Sequence, residues 1–424
     1  MNAVNKLSLT LALVFSALPF STPVQADYLP DPKAAEAALW ASSMVAQARG
    51  EFAAQSLKSE GLQQGRSEWK VDAEVDQRRI QTTPSDRQTE WGLALSRPIR
   101  MPARAEADRA LAGALNAHAE ASLGEALHES GRQLLALWFD WLNQFGQSKR
   151  LQAQIELAEQ QLATVKARIR LGEAPRAERV NAEAALAQAR LQQQQAETRA
   201  QQARNRLRAQ YPGLPLTVDA ALPDPAKPDG SVDEYVNAVL EHNHELFRAR
   251  RQADVLQAEA RQLAKHRSVD PTVGVFYRNE MGGNEHVLGV GVGLTLPGEA
   301  RRTDQQAAEQ LAATAQDAAI RLEQRLRHEA RADFEAAVAE ADNWQQADRA
   351  AKALAEAARL AARAYSLGEG SLDPVLVSRR LALEGDLMAQ QAQLSALSAL
   401  ARLKLDSHQL WPLDVDADGL HAHP

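Results

Sequence analysis

Between residues 287 and 297 apolar and bare positions alternate strictly. Leu288, Val290, Val292, Leu294 and Leu296 fall on one side, Gly289, Gly291, Gly293 and Thr295 on the other, and Pro297 ends the run. A period of two predicts a β-strand with one apolar face. A second strand is predicted at 272–278, across a loop holding Gly282, Gly283 and Asn284. The first half of the chain carries a matching pair. Trp69, Val71, Ala73 and Val75 alternate with Lys70, Asp72, Glu74 and Asp76. After a loop at 82–86 containing Pro84, Trp91, Leu93 and Leu95 alternate with Glu90, Gly92, Ala94 and Ser96, and Pro98 and Pro102 close the hairpin.

Most of the remaining chain is Ala-, Gln-, Glu- and Arg-rich and reads as helix. Helices are expected at 31–64, 103–170, from the break at 171–175 to 210, and at 232–265, 301–366 and 374–407. The two longest would each reach about 100 Å at 1.5 Å per residue. Leu171-Gly172-Glu173 and Leu367-Gly368-Glu369 break them at corresponding places; Pro98 matches Pro297, and Arg104 matches Arg301 or Arg302. The order helix, β-hairpin, long helical hairpin therefore occurs twice. A first repeat covers 27–210 (hairpin 69–96, helical hairpin 103–210). A Pro-rich linker follows at 211–231, then a second repeat at 232–410 (hairpin 272–296, helical hairpin 301–407) and a tail at 411–424.

Four short strands with one apolar face cannot stand alone, and no sequence remains for a second sheet. Closure into a barrel shared by several chains solves both problems. In lipid such closure is compulsory, because every backbone polar group must be paired internally. The predicted fold class is mainly α with a small transmembrane β part. Apolar positions then meet lipid, while Lys70, Asp72, Glu74, Asp76 and the glycines line water. Trp69, Trp91 and Tyr277 are candidate lipid-interface anchors. An ordinary α+β domain is the alternative, but it could not bury helices of this length.

Composition narrows the setting. Lys6, the apolar run 7–20 and Val24-Gln25-Ala26 have the order of a secretory signal peptide cut after Ala26, giving 1–26 as a leader. The net charge of −7 becomes −8 once that segment and its single Lys are set aside, which gives no basic excess for nucleic acid. Cysteine is absent, so disulfides, thiolate–metal sites and a lipidated Cys after the leader are not available. No stretch beyond the leader has eighteen consecutive apolar residues, so no spanning helix is expected.

With these residues in place, the chain resembles the TolC-like outer-membrane efflux proteins over essentially its whole mature length. The resemblance rests on the duplicated strand–Pro–long helix order. It rests also on Arg168-Ile169-Arg170-Leu171-Gly172-Glu173 with its partner Ala364-Tyr365-Ser366-Leu367-Gly368-Glu369, and on the helix-resuming runs Val180-Asn181-Ala182 and Val375-Leu376-Val377. It implies a homotrimer with a twelve-stranded barrel and an α-helical periplasmic tunnel closed at its tip. It implies a passive exit duct in the outer membrane, with no catalytic residues and no cofactor. The implied partners are outer-membrane lipid, a periplasmic adaptor and an inner-membrane pump of resistance-nodulation-division type. The duplicated Gly-Glu turns are similar to the branch serving heavy-metal pumps of the cobalt–zinc–cadmium type.

The family's periplasmic gate maps onto Tyr365, before the second turn, and Glu178, after the first. The family's best-known member has an Arg just past the second turn and two inward Asp; those positions here hold Gly370, Pro374 and Val377. Glu369 and Asp373 are the nearby acids. Asp373 has two readings: a threefold acidic constriction favouring cations, or the cap of the last helix with Pro374 at its first position. Gly172, Glu173, Gly368 and Glu369 are the expected hairpin-tip contacts with the adaptor.

Other candidates rank lower. Glu241-His242-Asn243-His244-Glu245 has metal-ligand residue types, but such neighbours at the start of a helix are more often solvated, and no metal site is assigned. His421 and His423 fall in the tail. The aromatic patch 138–141 reads as packing between helical layers. A soluble periplasmic coiled-coil adaptor without a pore is the rival function. An enzyme would need a nucleophile or metal motif, and no HExxH, GxSxG or Cys is present.

Overall fold

The computed structural model describes residues 28–65, 67–81, 86–216, 222–265, 270–296 and 298–413. The expected leader 1–26, most of the loop at 82–86 including Pro84, part of the linker, Pro297, and most of the tail including His421 and His423 lie outside the described residues.

Among the described residues, eight α-helices and four strands follow in the order α1 (Pro32–Trp40), α2 (Ser43–Gln64), β1 (Lys70–Ile80), β2 (Asp86–Pro98), α3 (Pro102–Arg170), α4 (Arg176–Gln210), α5 (Val232–His242), α6 (His244–Lys265), β3 (Thr272–Glu280), β4 (Glu285–Gly293), α7 (Glu299–Ser366) and α8 (Leu372–Asp406). The halves match in length: α3 and α7 have 69 and 68 residues, and α4 and α8 have 35 each. α3 packs against α4, α6, α2 and α8, and α7 against α8, α6 and α5.

Two expected helices are each broken once, in both cases by a polar cap inside an Ala-rich run. The segment 31–64 divides at Ala41 and Ser42, where the Ser42 hydroxyl accepts the Val45 N–H. The segment 232–265 divides at Asn243, whose side chain accepts the Leu246 N–H at 2.7 Å. Each cap satisfies a donor that a new helix start would otherwise leave open. Asp31 and the Ser231–Glu234 capping box start α1 and α5 in the same way.

The main core lies mid-way along α3. Leu134, Trp138, Phe139 and Trp141 pack there with Leu39 and Trp40 of α1, Leu207 of α4, Leu397 and Leu405 of α8, and Trp411. The aromatic patch is thus interior packing, with the Trp138 indole N–H donating to the Tyr28 carbonyl at 2.9 Å.

The strands form one antiparallel sheet in the order β1-β2-β3-β4. In register, Val71, Leu95, Val275 and Val290 share a row, as do Ala73, Leu93, Tyr277 and Leu288. β1 and β2 run beyond the expected limits, to Ile80 and from Asp86, whereas β4 stops at Gly293, short of the expected 296. The sheet is tied to the helices by two arginines. Arg100 donates to the Leu62 and Gln63 carbonyls at the end of α2 and pairs with Asp108 at 3.2 Å. Arg104 pairs with Asp270, which also accepts the Met101 N–H at the start of α3.

Candidate functional site: the sheet and the helical tip

Because facing residues of an antiparallel pair point to the same side, the register sorts the sheet into two surfaces. One carries Val71, Val75, Leu93, Leu95, Val273, Val275, Leu288, Val290 and Val292, and none of the described residues packs over it. Leu288 is 80% exposed and Val290 82%, the reverse of what apolar residues of this size do in water. The other surface is charged. Glu74 pairs with Arg278 across Gly92 at 3.1 Å, and Arg78 pairs with Glu90 at 2.9 Å. A Cβ at Gly92 would come within 2.9 Å of the Glu74 carboxylate, so the glycine makes room for that ion pair. Phe276 lies over Gly289, where a Cβ would meet its ring at 2.4 Å.

Of the three aromatic anchor candidates, Trp69 and Trp91 are exposed and Tyr277 is half-buried, Trp91 and Tyr277 standing on the apolar side. Trp91 and Tyr277 touch, with ring centroids 5.5 Å apart, and the Tyr277 hydroxyl bonds His286 at 2.7 Å. Trp69 lies immediately before β1, with the Arg97 guanidinium 5.3 Å over its ring. Arg97 also donates to the Ser67 carbonyl at 3.0 Å.

At the opposite end of the long helices the two hairpin turns are near copies. Gly172 and Gly368 have φ of 78° and 83°. Glu173 N–H bonds Arg168 O at 2.9 Å, and Glu369 N–H bonds Ala364 O at 3.0 Å. These are Schellman closures, which place a residue in the left-handed region and so favour glycine. Glu173 and Glu369 are exposed on the turns.

Behind the turns Val165, Ala182, Tyr365, Leu372 and Val375 make a small core. Tyr365 is buried, and its hydroxyl donates to Glu178 Oε2 at 2.6 Å, joining the second hairpin to the first. Burial first, then the Glu178 hydrogen bond and charge, pushes the Tyr365 phenol up to about 12. Arg168 completes the arrangement. Its guanidinium lies 4.3 Å over the Tyr365 ring, donates to the Tyr365 carbonyl at 3.0 Å and sits 3.9 Å from Glu173. The gate residues expected from sequence did not include it. The only signal was an Arg three places before the Leu171 turn, and its contacts reach almost two hundred residues along the chain.

Asp373 does not cap α8. The helix begins at Leu372, two residues before the expected start, with Ser371 at the cap position and Asp373 in the first turn. It is exposed and accepts a long hydrogen bond from Asn181 at 3.4 Å. The capping alternative is thereby corrected: Pro374 follows in the same turn rather than opening the helix.

No family model and no curated protein matches the chain. Solved structures do. The chain is similar to the CmeC outer membrane channel of Campylobacter jejuni, with a TM-score of 0.73 and 13% identity over 98% of this chain and 95% of that one. It is similar to the outer-membrane channel OprN, with a TM-score of 0.73 and 16% identity over 90% of each. It is also similar to the open state of the Neisseria gonorrhoeae MtrE outer membrane channel, with a TM-score of 0.62 and 19% identity over 91% of each. What these likenesses establish is the fold. The chain has the architecture of outer-membrane channels, and the TolC-like resemblance read from its duplicated turns holds at that level.

Proposed function

We propose that this chain is the outer-membrane exit duct of a tripartite efflux system, acting as a homotrimer. The observation that carries the reading is the sheet. Among the described residues it has an uncovered apolar face, a charged reverse face and two edges without a strand partner, β1 and β4. Three copies joined edge to edge give a closed barrel of twelve strands, with apolar side chains toward lipid and the Glu74–Arg278 and Arg78–Glu90 pairs toward water. The long helices continue the barrel as a periplasmic cylinder. The outer-membrane channels CmeC, OprN and MtrE and the outer membrane protein VceC, all among the similar structures, support the same reading. A soluble adaptor would gain nothing from such an apolar sheet.

The duct is passive: described helices include none long and apolar enough to span a membrane, so the driving force comes from an inner-membrane pump reached through a periplasmic adaptor. The turns at Gly172, Glu173, Gly368 and Glu369 meet the adaptor. Tyr365, Glu178 and Arg168 hold the tip shut, and Asp373 from three copies forms a cation-favouring ring at the entrance.

Purification of the mature chain and planar-bilayer recording test the reading. A detergent-requiring trimer with a discrete conductance is expected; a freely soluble monomer with no channel activity overturns it. Asp373→Ala is expected to reduce the cation preference of the current, and an unchanged preference removes the ring.

A further inference from the structure

Away from both sheet and tip, four imidazoles meet at the junction of the two repeats. His128 is on α3, His242 ends α5, His244 opens α6 and His408 follows α8. Three of them form a closed triangle, with ring centroids 5.8 Å apart for His128–His244, 5.7 Å for His128–His408 and 5.0 Å for His244–His408. His242 packs on His408 at 5.1 Å. His128 is buried, and the other three are half-buried.

The backbone is shaped to bring them together. His408 has φ of 57°, a left-handed conformation that few side chains adopt and that turns the chain back after α8. Gly124 faces His244, where a Cβ would lie 2.6 Å from Nδ1, so only glycine lets that ring sit against α3. The break at Asn243 puts His242 and His244 on two separate helices.

The spacing has a chemical meaning. An imidazole nitrogen binds zinc at about 2.0 Å, which puts the ring centre about 3.2 Å from the ion, and two rings at a tetrahedral angle then lie about 5.2 Å apart. The observed separations bracket that value. Among the described residues no group of three His, Asp or Glu side chains is already converged as a ligand set, so the rings must turn about their side-chain bonds to share an ion. An outer partner is in place. His128 Nε2 lies 3.4 Å from Asp406, which is itself held by Arg132 at 2.9 Å. A carboxylate behind an imidazole is the common support of a metal-bound histidine.

We propose that His128, His244 and His408 bind one divalent late first-row metal ion, with His242 completing the shell. Neutral nitrogen donors without thiolates suit Zn²⁺, Ni²⁺ or Cu²⁺ and exclude the oxygen-seeking Mg²⁺ and Ca²⁺. The ion would clamp α3, α6 and the end of α8 together across the two repeats. The site is independent of the export reading.

The test is a titration of ZnCl₂ into the purified full chain in detergent, without a polyhistidine tag and with His421→Ala and His423→Ala to silence the tail. One saturable ion per chain is expected, with affinity at least tenfold weaker in His244→Ala and in His408→Ala and unchanged in His328→Ala, which changes an exposed residue on α7. Absence of saturable binding, or an affinity in either cluster variant unchanged from that of the parent protein, overturns the proposal. Circular dichroism checks that each variant is folded. If either is not, X-ray absorption of the zinc-loaded parent protein decides: three or four imidazole ligands support the site, and two or fewer overturn it. Because channel activity is not a readout, failure here leaves the duct reading standing, and the reverse.

Discussion

Tyr365 sets one hydroxyl against one carboxylate, and that contact crosses from the second helical hairpin to the first. Hydrogen bonds to ionised groups contribute more than neutral ones; with Glu178 half-exposed, about 1.5 kcal/mol per subunit is expected. Tyr365→Phe keeps the packed ring and the Arg168 stacking but loses this bond. In the proposed trimeric duct this variant should conduct more in planar bilayers at neutral pH. The raised phenol also fixes a pH window. In the unfolded chain a tyrosine ionises near 10, whereas here the proton is held up to about 12. The contribution is whole below about 10 and is lost as pH rises through about 12. Conductance should therefore climb over that interval in the parent protein and stay flat in Tyr365→Phe. The neighbouring glycines separate backbone need from helix propensity. Gly368→Ala must hold φ of 83° and should lower stability by about 1 kcal/mol. Gly50→Ala, inside α2 with open space around it, should raise stability by roughly 0.5–1 kcal/mol. Thermal melts of the two variants check the contrast.

Among the elements, the sheet invites the sharpest test, because in the proposed barrel adjacent residues of β4 would face lipid and water. Val290→Arg puts a charge on the apolar side and should cost about 2–4 kcal/mol near the middle of a lipid-embedded band, leaving little assembled protein in the membrane fraction. Gly291→Ser alters the wet side and should assemble normally. This two-sidedness could be read in the sequence, since every second residue of 288–296 is apolar. The ends of the strands could not be read so well. Beyond Asp76 both faces of β1 carry polar or charged residues, so the period-two signal fades while the ladder to β2 continues to Ile80. β4 shows the converse. Leu294 and Leu296 keep the alternation, but the ladder has ended at Gly293. Helix boundaries at the turns were legible because Gly172 and Gly368 carry a specific backbone demand. The breaks at Ser42 and Asn243 were hidden, because a single capping side chain resembles any other polar position of a long helix. Arg168 over Tyr365 and the histidine triangle were illegible for another reason. Their members stand far apart along the chain and meet only once α3, α6, α7 and α8 are packed.

For the whole molecule, the free edges of the sheet decide the assembly. A sheet that ends at β1 and β4 leaves two rows of backbone donors and acceptors open, which a bilayer does not tolerate. Pairing β1 of one copy with β4 of the next repeats the same heterologous contact around an axis and closes only if the rotation does. The absence of native cysteine makes this contact easy to interrogate. Ala73→Cys lies on β1 and Leu288→Cys on β4, in one row of the sheet but at its opposite edges, separated by Leu93 and Tyr277. Within one chain two intervening strands hold them about 14 Å apart at 4.7–4.9 Å per strand, too far for a disulfide. Between neighbouring copies the edges meet, and moving the second cysteine to Val290 or Val292 samples the stagger that barrel closure imposes. At one of these registers, oxidation should give dimer and trimer bands on a denaturing gel, with no species larger than the trimer and no product from either single variant. A ladder continuing past three would mean an open polymer of sheets, and monomer at every register would leave the edges unpaired and the barrel without a wall.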